Sequence, residues 1–236
     1  LLDGRDLYAW KEALAKPAKL VFFETPSNPV LHLVDIEAVS TLAHAAGAKV
    51  TVDNVFATPL FQSPLALGAD IVTYSTTKHI DGHGRLLGGV VLGKTAFIEE
   101  VFLPFYRQTG AAMSAFNAWV MLKSLETLAL RVEMQTRTAT QLSEKIKHHP
   151  AVLSLSYPGD RSHPQHELAS RQMSGSSTLI AFEVKGGRTG AFQFLNALGV
   201  IDISNNLADS KTLACHSSST THMNLSEDER QMLEIN

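Results

Sequence analysis

Asp70-Ile71-Val72-Thr73-Tyr74-Ser75-Thr76-Thr77-Lys78-His79 holds the key to the fold of this chain. Its first half is β-branched and aromatic, the composition of a pleated, half-buried strand. The hydroxyls of Ser75, Thr76 and Thr77 then end the strand, since such side chains favour turns and caps. Working outward, Lys49 to Asp53 (KVTVD) is a second β-branched strand, and Lys19 to Glu24 (KLVFFE) a short apolar one. Between those two, Asp35 to Ala46 places Ile36, Val39, Leu42, Ala43 and Ala46 at helical spacing, with Gly47 as its stop. Downstream, Gly88 to Leu92 within LLGGVVLG predicts a fourth strand. Strands separated by helices predict an α/β architecture, a mostly parallel sheet covered on both faces by helices.

The middle of the chain is different. From Ser114 to about His148 there is no Pro and no Gly, and apolar residues recur at three and four spacing. That pattern predicts one or two long helices. Pro150 and Tyr157-Pro158-Gly159 break it. Thr178 to Val184 then reads as a strand and Arg188 to Leu198 as a helix. A boundary near the long helix is expected to separate a larger α/β domain, residues 1–125, from a smaller α+β one, residues 126–236.

Composition narrows the function classes. The 236 residues are 44% hydrophobic and 18% charged, as in ordinary globular proteins. A net charge of −3 gives no reason to expect nucleic acid or an anionic membrane as partner. Cys215 stands alone, which points to a reducing compartment and a cytoplasmic setting. No apolar run has the length of a membrane span. The chain opens on Leu1-Leu2-Asp3 and closes on Glu234-Ile235-Asn236, and it reads as a piece of a longer protein.

In an open α/β sheet, ligands bind beyond the carboxyl ends of strands. Glu24-Thr25-Pro26-Ser27-Asn28-Pro29, Asp53 and Ser75-Thr76-Thr77-Lys78 all fall there. These residue types suit pyridoxal 5′-phosphate. The cofactor needs an amine to form an imine with its aldehyde, which Lys78 supplies. It needs an acid opposite its ring nitrogen, supplied by Asp53. It needs hydroxyls around its phosphate, from Ser75 and Thr77, and Asn28 can donate to the ring oxygen. Singly, each has a plainer reading: a surface lysine, a helix cap, turn hydroxyls, a Pro-rich turn. Their joint placement favours the cofactor. His79 and His83, four apart but set among Gly82 and Gly84, make a poor metal pair, as do His216 and His222, so no metal is expected. Asp81 to Gly89 (DGHGRLLGG) precedes a strand rather than opening a helix, so it is not a dinucleotide fingerprint.

These residues resemble the pyridoxal-phosphate enzymes of cysteine and methionine metabolism: cystathionine γ-synthase, cystathionine lyases, methionine γ-lyase and homoserine sulfhydrylases. The anchors are ETPSNP (Glu24 to Pro29), VDNVFATP (Val52 to Pro59), GADIVTYSTTKHIDGHG (Gly68 to Gly84) and SKTLACHSSSTTH (Ser210 to His222). The likeness implies an aminotransferase-like large domain followed by a small α+β domain. Lys78 to Gly89, Ser114 to Arg131 and Ile203 to Leu213 resemble the O-succinylhomoserine sulfhydrylase branch of that family.

The resemblance implies Lys78 as cofactor lysine and proton carrier, Asp53 at the pyridine nitrogen, Ser75 and Thr77 at the phosphate, and Asn28 at the ring oxygen. It places Asn206 at the substrate carboxylate. It implies γ-replacement on an amino-acid substrate, with sulfide giving homocysteine, in a homo-oligomer that is a dimer of dimers. γ-Elimination or cystathionine synthase or lyase activity by the same residues, or a non-catalytic fragment or regulatory cofactor-binding relative, stays open at this point. The family's phosphate loop, stacking tyrosine and Tyr-x-Arg fall upstream of residue 1, and its carboxylate-binding arginine beyond Asn236. Ala208 stands where relatives carry Gly, Ala111 and Ala115 where this branch carries Pro, and Ser217 at a common Pro.

Overall fold

The structure is a computed structural model and describes residues 2–235. Its main sheet has four strands in the order β1 (Leu20–Glu24), β2 (Lys49–Asp53), β3 (Ile71–Ser75), β4 (Gly89–Gly93). β1 runs parallel to β2 and β2 to β3, whereas β4 is antiparallel to β3. The strands expected from sequence are therefore present within a residue of their bounds, in a mixed sheet.

Alternation within the strands builds the core. Val21, Phe23, Val50, Val52, Val72 and Tyr74 point to one face and are buried there. The helix Ile36–Ala45 covers that face with Ile36, Val39 and Ala43, all fully buried. Burial of Ile36 and Val39 contributes about 1.5–3 kcal/mol each and the single methyl of Ala43 about 0.8 kcal/mol, so the stripe at three and four spacing favours this layer. Asp35 starts the helix by accepting the Ala38 N–H at 3.0 Å. Gly47 ends it at φ +78°, a backbone region that glycine enters without penalty. Trp10, from the helix Leu7–Ala13, meets Phe23 edge-on at 6.2 Å on the same side.

The expectation that helices cover both faces fails at β1. Successive side chains on a strand point opposite ways, so the strand that buries Val21 and Phe23 turns Leu20 and Phe22 outward. Those two are 57% and 60% exposed.

The long Gly-free stretch is two helices, Ala115–Leu125 and Leu128–Ile146, which meet at Glu126 and Thr127. Beyond them lie an antiparallel pair, β5 (Val152–Ser156) with β6 (Ala181–Val184), and a short parallel pair, β7 (Asp202–Ile203) with β8 (Leu213–Ala214). The expected strand from Thr178 begins only at Ala181, the first residue paired with β5, and Thr178 lies outside the ladder with its hydroxyl 2.7 Å from His79 Nε2. The expected helix from Arg188 spans Gly187–Asn196.

Buried amides join the later elements to the sheet. Gln172, on the helix His166–Gln172, donates to Val34 O and to Gln62 Oε1, and Gln62 donates in turn to Thr25 O and Asn54 Oδ1. Among the described residues no helix is long and apolar enough to cross a membrane.

Candidate active site

β3 ends at Ser75, and the chain enters a wide turn over Thr76–Ile80. Inside that turn Lys78 leaves helical geometry, at φ −91° and ψ −126°. Three backbone bonds fix the excursion: Thr76 N–H to Gly88 O at 2.9 Å, Asp81 N–H to Thr76 O at 2.9 Å, and Gly82 N–H to Lys78 O at 2.7 Å. Arg131 adds a clamp from the long helix, donating to His79 O and Ile80 O at 2.8 and 3.2 Å. Gly82 has to be glycine here. It sits at φ +69°, and a Cβ on it would fall 1.9 Å from Arg131 Nη1.

The turn delivers the Lys78 amine to a recess of about 460 Å³, lined in part by Thr77, Arg85, Asn117, Asn205 and Asn206. Lys78 is half-buried, and its Nζ donates to Asn206 Oδ1 at 2.6 Å. Among the described residues no carboxylate pairs with it, and burial lowers its pKa below the ordinary lysine value. Loss of water without a compensating charge favours the neutral, nucleophilic amine. Thr77 Oγ1 accepts the Gly88 N–H at 3.2 Å.

Asp53 and Asn28 lie outside the lining of this recess, at the ends of neighbouring strands. The ladder sets Asp53 between Glu24 and Thr73. By the same alternation Glu24, Asp53 and Thr73, with Ser75 two residues on, share the face opposite the buried core. Asp53 accepts the Val55 N–H at 3.0 Å, and burial raises its pKa. Glu24 accepts the Asn28 N–H at 2.9 Å. Burial pushes Glu24 up to about 7, and the Asp53 charge works in the same direction.

Sequence reasoning passed over four neighbours of these residues. Glu24 was only the first letter of an anchor, yet it ties Asn28 to the strand end that also carries Asp53. The buried Thr76 hydroxyl has no hydrogen-bond partner among the described residues, although Ser75 and Thr77 were the expected hydroxyls. His79 is buried beside Lys78, and burial pushes its imidazole down to about 4, so it is neutral. Arg85 stands in the recess with Lys78 and is braced by buried Asp81. Burial pushes Asp81 up, but hydrogen bonds from the Arg85 backbone and side chain outweigh it and hold that carboxyl below its ordinary value. An i, i+4 Asp-Arg pair straddling glycines was the available signal for the last.

The donor set fits pyridoxal phosphate on this chain's own residues. Among the described residues, a half-buried lysine amine without a carboxylate partner, a recess hydroxyl at Thr77 and a strand-end aspartate that accepts from Val55 are what such a group requires. Among the described residues no group of three or more His, Cys, Asp or Glu side chains is placed to hold a metal.

Comparison with known proteins agrees. The profile of the Cys/Met metabolism PLP-dependent enzyme family matches residues 1–236. The O-succinylhomoserine sulfhydrylase of Mycobacterium tuberculosis (strain ATCC 25618 / H37Rv) is 53% identical over 225 residues, covering 94% of this chain and 55% of that protein. The L-methionine gamma-lyase of Treponema denticola is 40% identical over 237 residues, covering 99% of this chain and 59% of that protein. The chain thus spans somewhat more than half the length of these relatives. The crystal structure of cystathionine gamma synthase from Xanthomonas oryzae pv. oryzae superposes with a TM-score of 0.96 at 34% identity, over 99% of this chain and 60% of that one. With a profile match over residues 1–236, the chain belongs to the Cys/Met metabolism PLP-dependent enzyme family.

Proposed function

We propose that the protein carrying this chain replaces the succinyloxy group of O-succinylhomoserine with sulfide, giving homocysteine for methionine synthesis. The observation that carries the reading is Lys78: a half-buried amine with no carboxylate partner among the described residues, held out of helical geometry at a strand end and facing Asn206 at 2.6 Å. The choice of substrate is supported by identity of 53% to a sulfhydrylase against 40% to a methionine gamma-lyase. Residues 1–125 are assigned to the cofactor-binding large domain and residues 126–236 to the long helix and part of the small one.

When bound, pyridoxal phosphate supplies an electron sink for charge developing at the substrate Cα. Lys78 Nζ holds the group and then, released, moves the proton at Cα. Burial lowers its pKa, and a lowered pKa raises the share of the neutral amine that can accept a proton. Asp53 faces the ring nitrogen and keeps it protonated. Ser75 and Thr77 bind phosphate oxygens, and Asn28 orients the ring oxygen from a loop that Glu24 anchors. Asn206, which already touches Lys78, orients the substrate carboxylate. The whole protein is taken to be a cytoplasmic homo-oligomer, a dimer of dimers, with an amino acid and sulfide as its small-molecule partners.

The second reading, γ-elimination, uses the same residues and is favoured by the 40% identity to a methionine gamma-lyase. Incubating the full-length protein with O-succinylhomoserine, with and without sulfide, separates the two. Homocysteine formed in proportion to sulfide supports replacement. Formation of 2-oxobutyrate and ammonia, with no homocysteine when sulfide is present, overturns it.

A further inference from the structure

We propose that Arg85, with Asn117 and Asn205 beside it, forms a subsite for a second carboxylate on the substrate, the one borne by the group that leaves Cγ. This rests on the reading above and adds a specificity-determining residue to it.

The argument starts from how the guanidinium is held. Asp81 is completely buried and accepts from the Arg85 backbone N–H at 2.6 Å and from Nε at 3.0 Å. Nη2 lies 2.9 Å from Asp81 Oδ1 and donates to Ser124 Oγ at 2.8 Å. One edge of the fork is therefore fully engaged. Nη1 takes part in no hydrogen bond among the described residues, and the side chain is 49% exposed on the recess that holds Lys78. The bonds to Asp81 and Ser124 use Nε and Nη2, so Nη1 is the nitrogen left to donate to a carboxylate oxygen, a charge-assisted bond from a guanidinium whose orientation is already fixed.

The charge around it has the right sign. Lys78 and Arg85 line the recess, and Arg131 stands behind the turn, within electrostatic reach of Asp81 and Arg85. Against these stand Asp81, committed to Arg85, and Asp209, whose Oδ1 accepts the Lys211 N–H and the Ser210 hydroxyl while its Oδ2 lies towards Gly84. Asn117, at the start of the helix Ala115–Leu125, and Asn205 offer neutral amides on the same recess. Such a site favours an amino acid esterified with a dicarboxylic acid over one esterified with acetate.

The test uses the full-length protein. In wild type and in Arg85→Gln and Arg85→Lys, kcat/KM is measured for O-succinylhomoserine and for O-acetylhomoserine. Arg85→Gln is expected to lower the succinyl-to-acetyl ratio about ten- to a hundredfold, the scale of a lost charge-assisted hydrogen bond. Arg85→Lys recovers part of it. Calorimetry with succinate, and with acetate as control, gives a readout independent of turnover. Succinate binding should weaken at least about tenfold in Arg85→Gln. Should Arg85→Gln fail to fold with buried Asp81 unpaired, the Asp81→Asn/Arg85→Gln pair removes both charges and is expected to show the same losses. A ratio and a succinate affinity that stay at wild-type values overturn the subsite. If wild type turns over neither ester, the proposed reaction is wrong, and loss of succinate binding in Arg85→Gln still decides the subsite.

Discussion

Replacing Glu24 by glutamine removes a charge that the fold buries while keeping an oxygen for the Asn28 N–H, now bound at 2.9 Å. Burial holds the Glu24 carboxyl at about 7 against an ordinary 4.5. The consequence for stability follows from proton linkage. Below pH 4.5 the carboxyl is protonated in both folded and unfolded chains, so wild type and variant differ little. Between pH 4.5 and about 7 the unfolded chain ionises first, and the folded state loses stability as pH rises. Above about 7 the loss is complete. At ~1.4 kcal/mol for each pH unit, that interval sets an upper bound of ~3.5 kcal/mol. Solvent screening of a side chain that is not fully enclosed reduces the expectation to ~1–2 kcal/mol. Glu24→Gln should therefore be the more stable form by that amount at about pH 8, with the advantage fading towards the ordinary carboxylate range. Urea unfolding followed by far-ultraviolet circular dichroism at both ends of the interval, with equal m values, measures it. An advantage independent of pH, or larger in acid, refutes the placement of a buried carboxyl beside Asp53.

Three further outcomes follow from the site. Asp53→Asn leaves the ring nitrogen without its acid and should lower kcat at least about a hundredfold, with the protein folded as judged by circular dichroism; wild-type kcat would remove Asp53 from the site. Gly82→Ala forces a Cβ against Arg131 Nη1 at a φ of +69°, so a loss of about 2 kcal/mol or more is expected, read by urea unfolding together with weaker cofactor retention. Ala208 sits at φ +62°, where a Cβ costs about 1 kcal/mol, so Ala208→Gly should raise the unfolding free energy by about that much in the same assay.

The sheet was legible because its strands are uniform in type: KVTVD and DIVTYS leave little choice but a pleated, half-buried run. The helix Ile36–Ala45 was legible for the same reason, from its apolar spacing and its Asp35 cap. What local pattern cannot carry is direction and company. Nothing in Gly88 to Leu92 states that β4 runs antiparallel to β3, because the period of two is the same either way. Thr178 has strand composition yet serves His79, a contact across 99 positions.

The site divides along the same line. Lys78, Asp53 and Asn28 were readable because strand ends are where sheets of this class bind ligands. Asn206 came only from resemblance, and its bond to Lys78 spans 128 positions. Glu24 was hidden because a glutamate at a strand end is ordinarily solvated, and burial reveals itself only once the neighbouring strand carries Asp53.

The central claim is that Lys78 is the amine that holds pyridoxal phosphate. Reduction of the cofactor-loaded full-length protein with borohydride, followed by proteolysis and mass mapping, tests it directly. The account predicts a phosphopyridoxyl adduct on the peptide carrying Thr76-Thr77-Lys78-His79, lost in Lys78→Ala. An adduct on a different lysine, or undiminished labelling in Lys78→Ala, would contradict it.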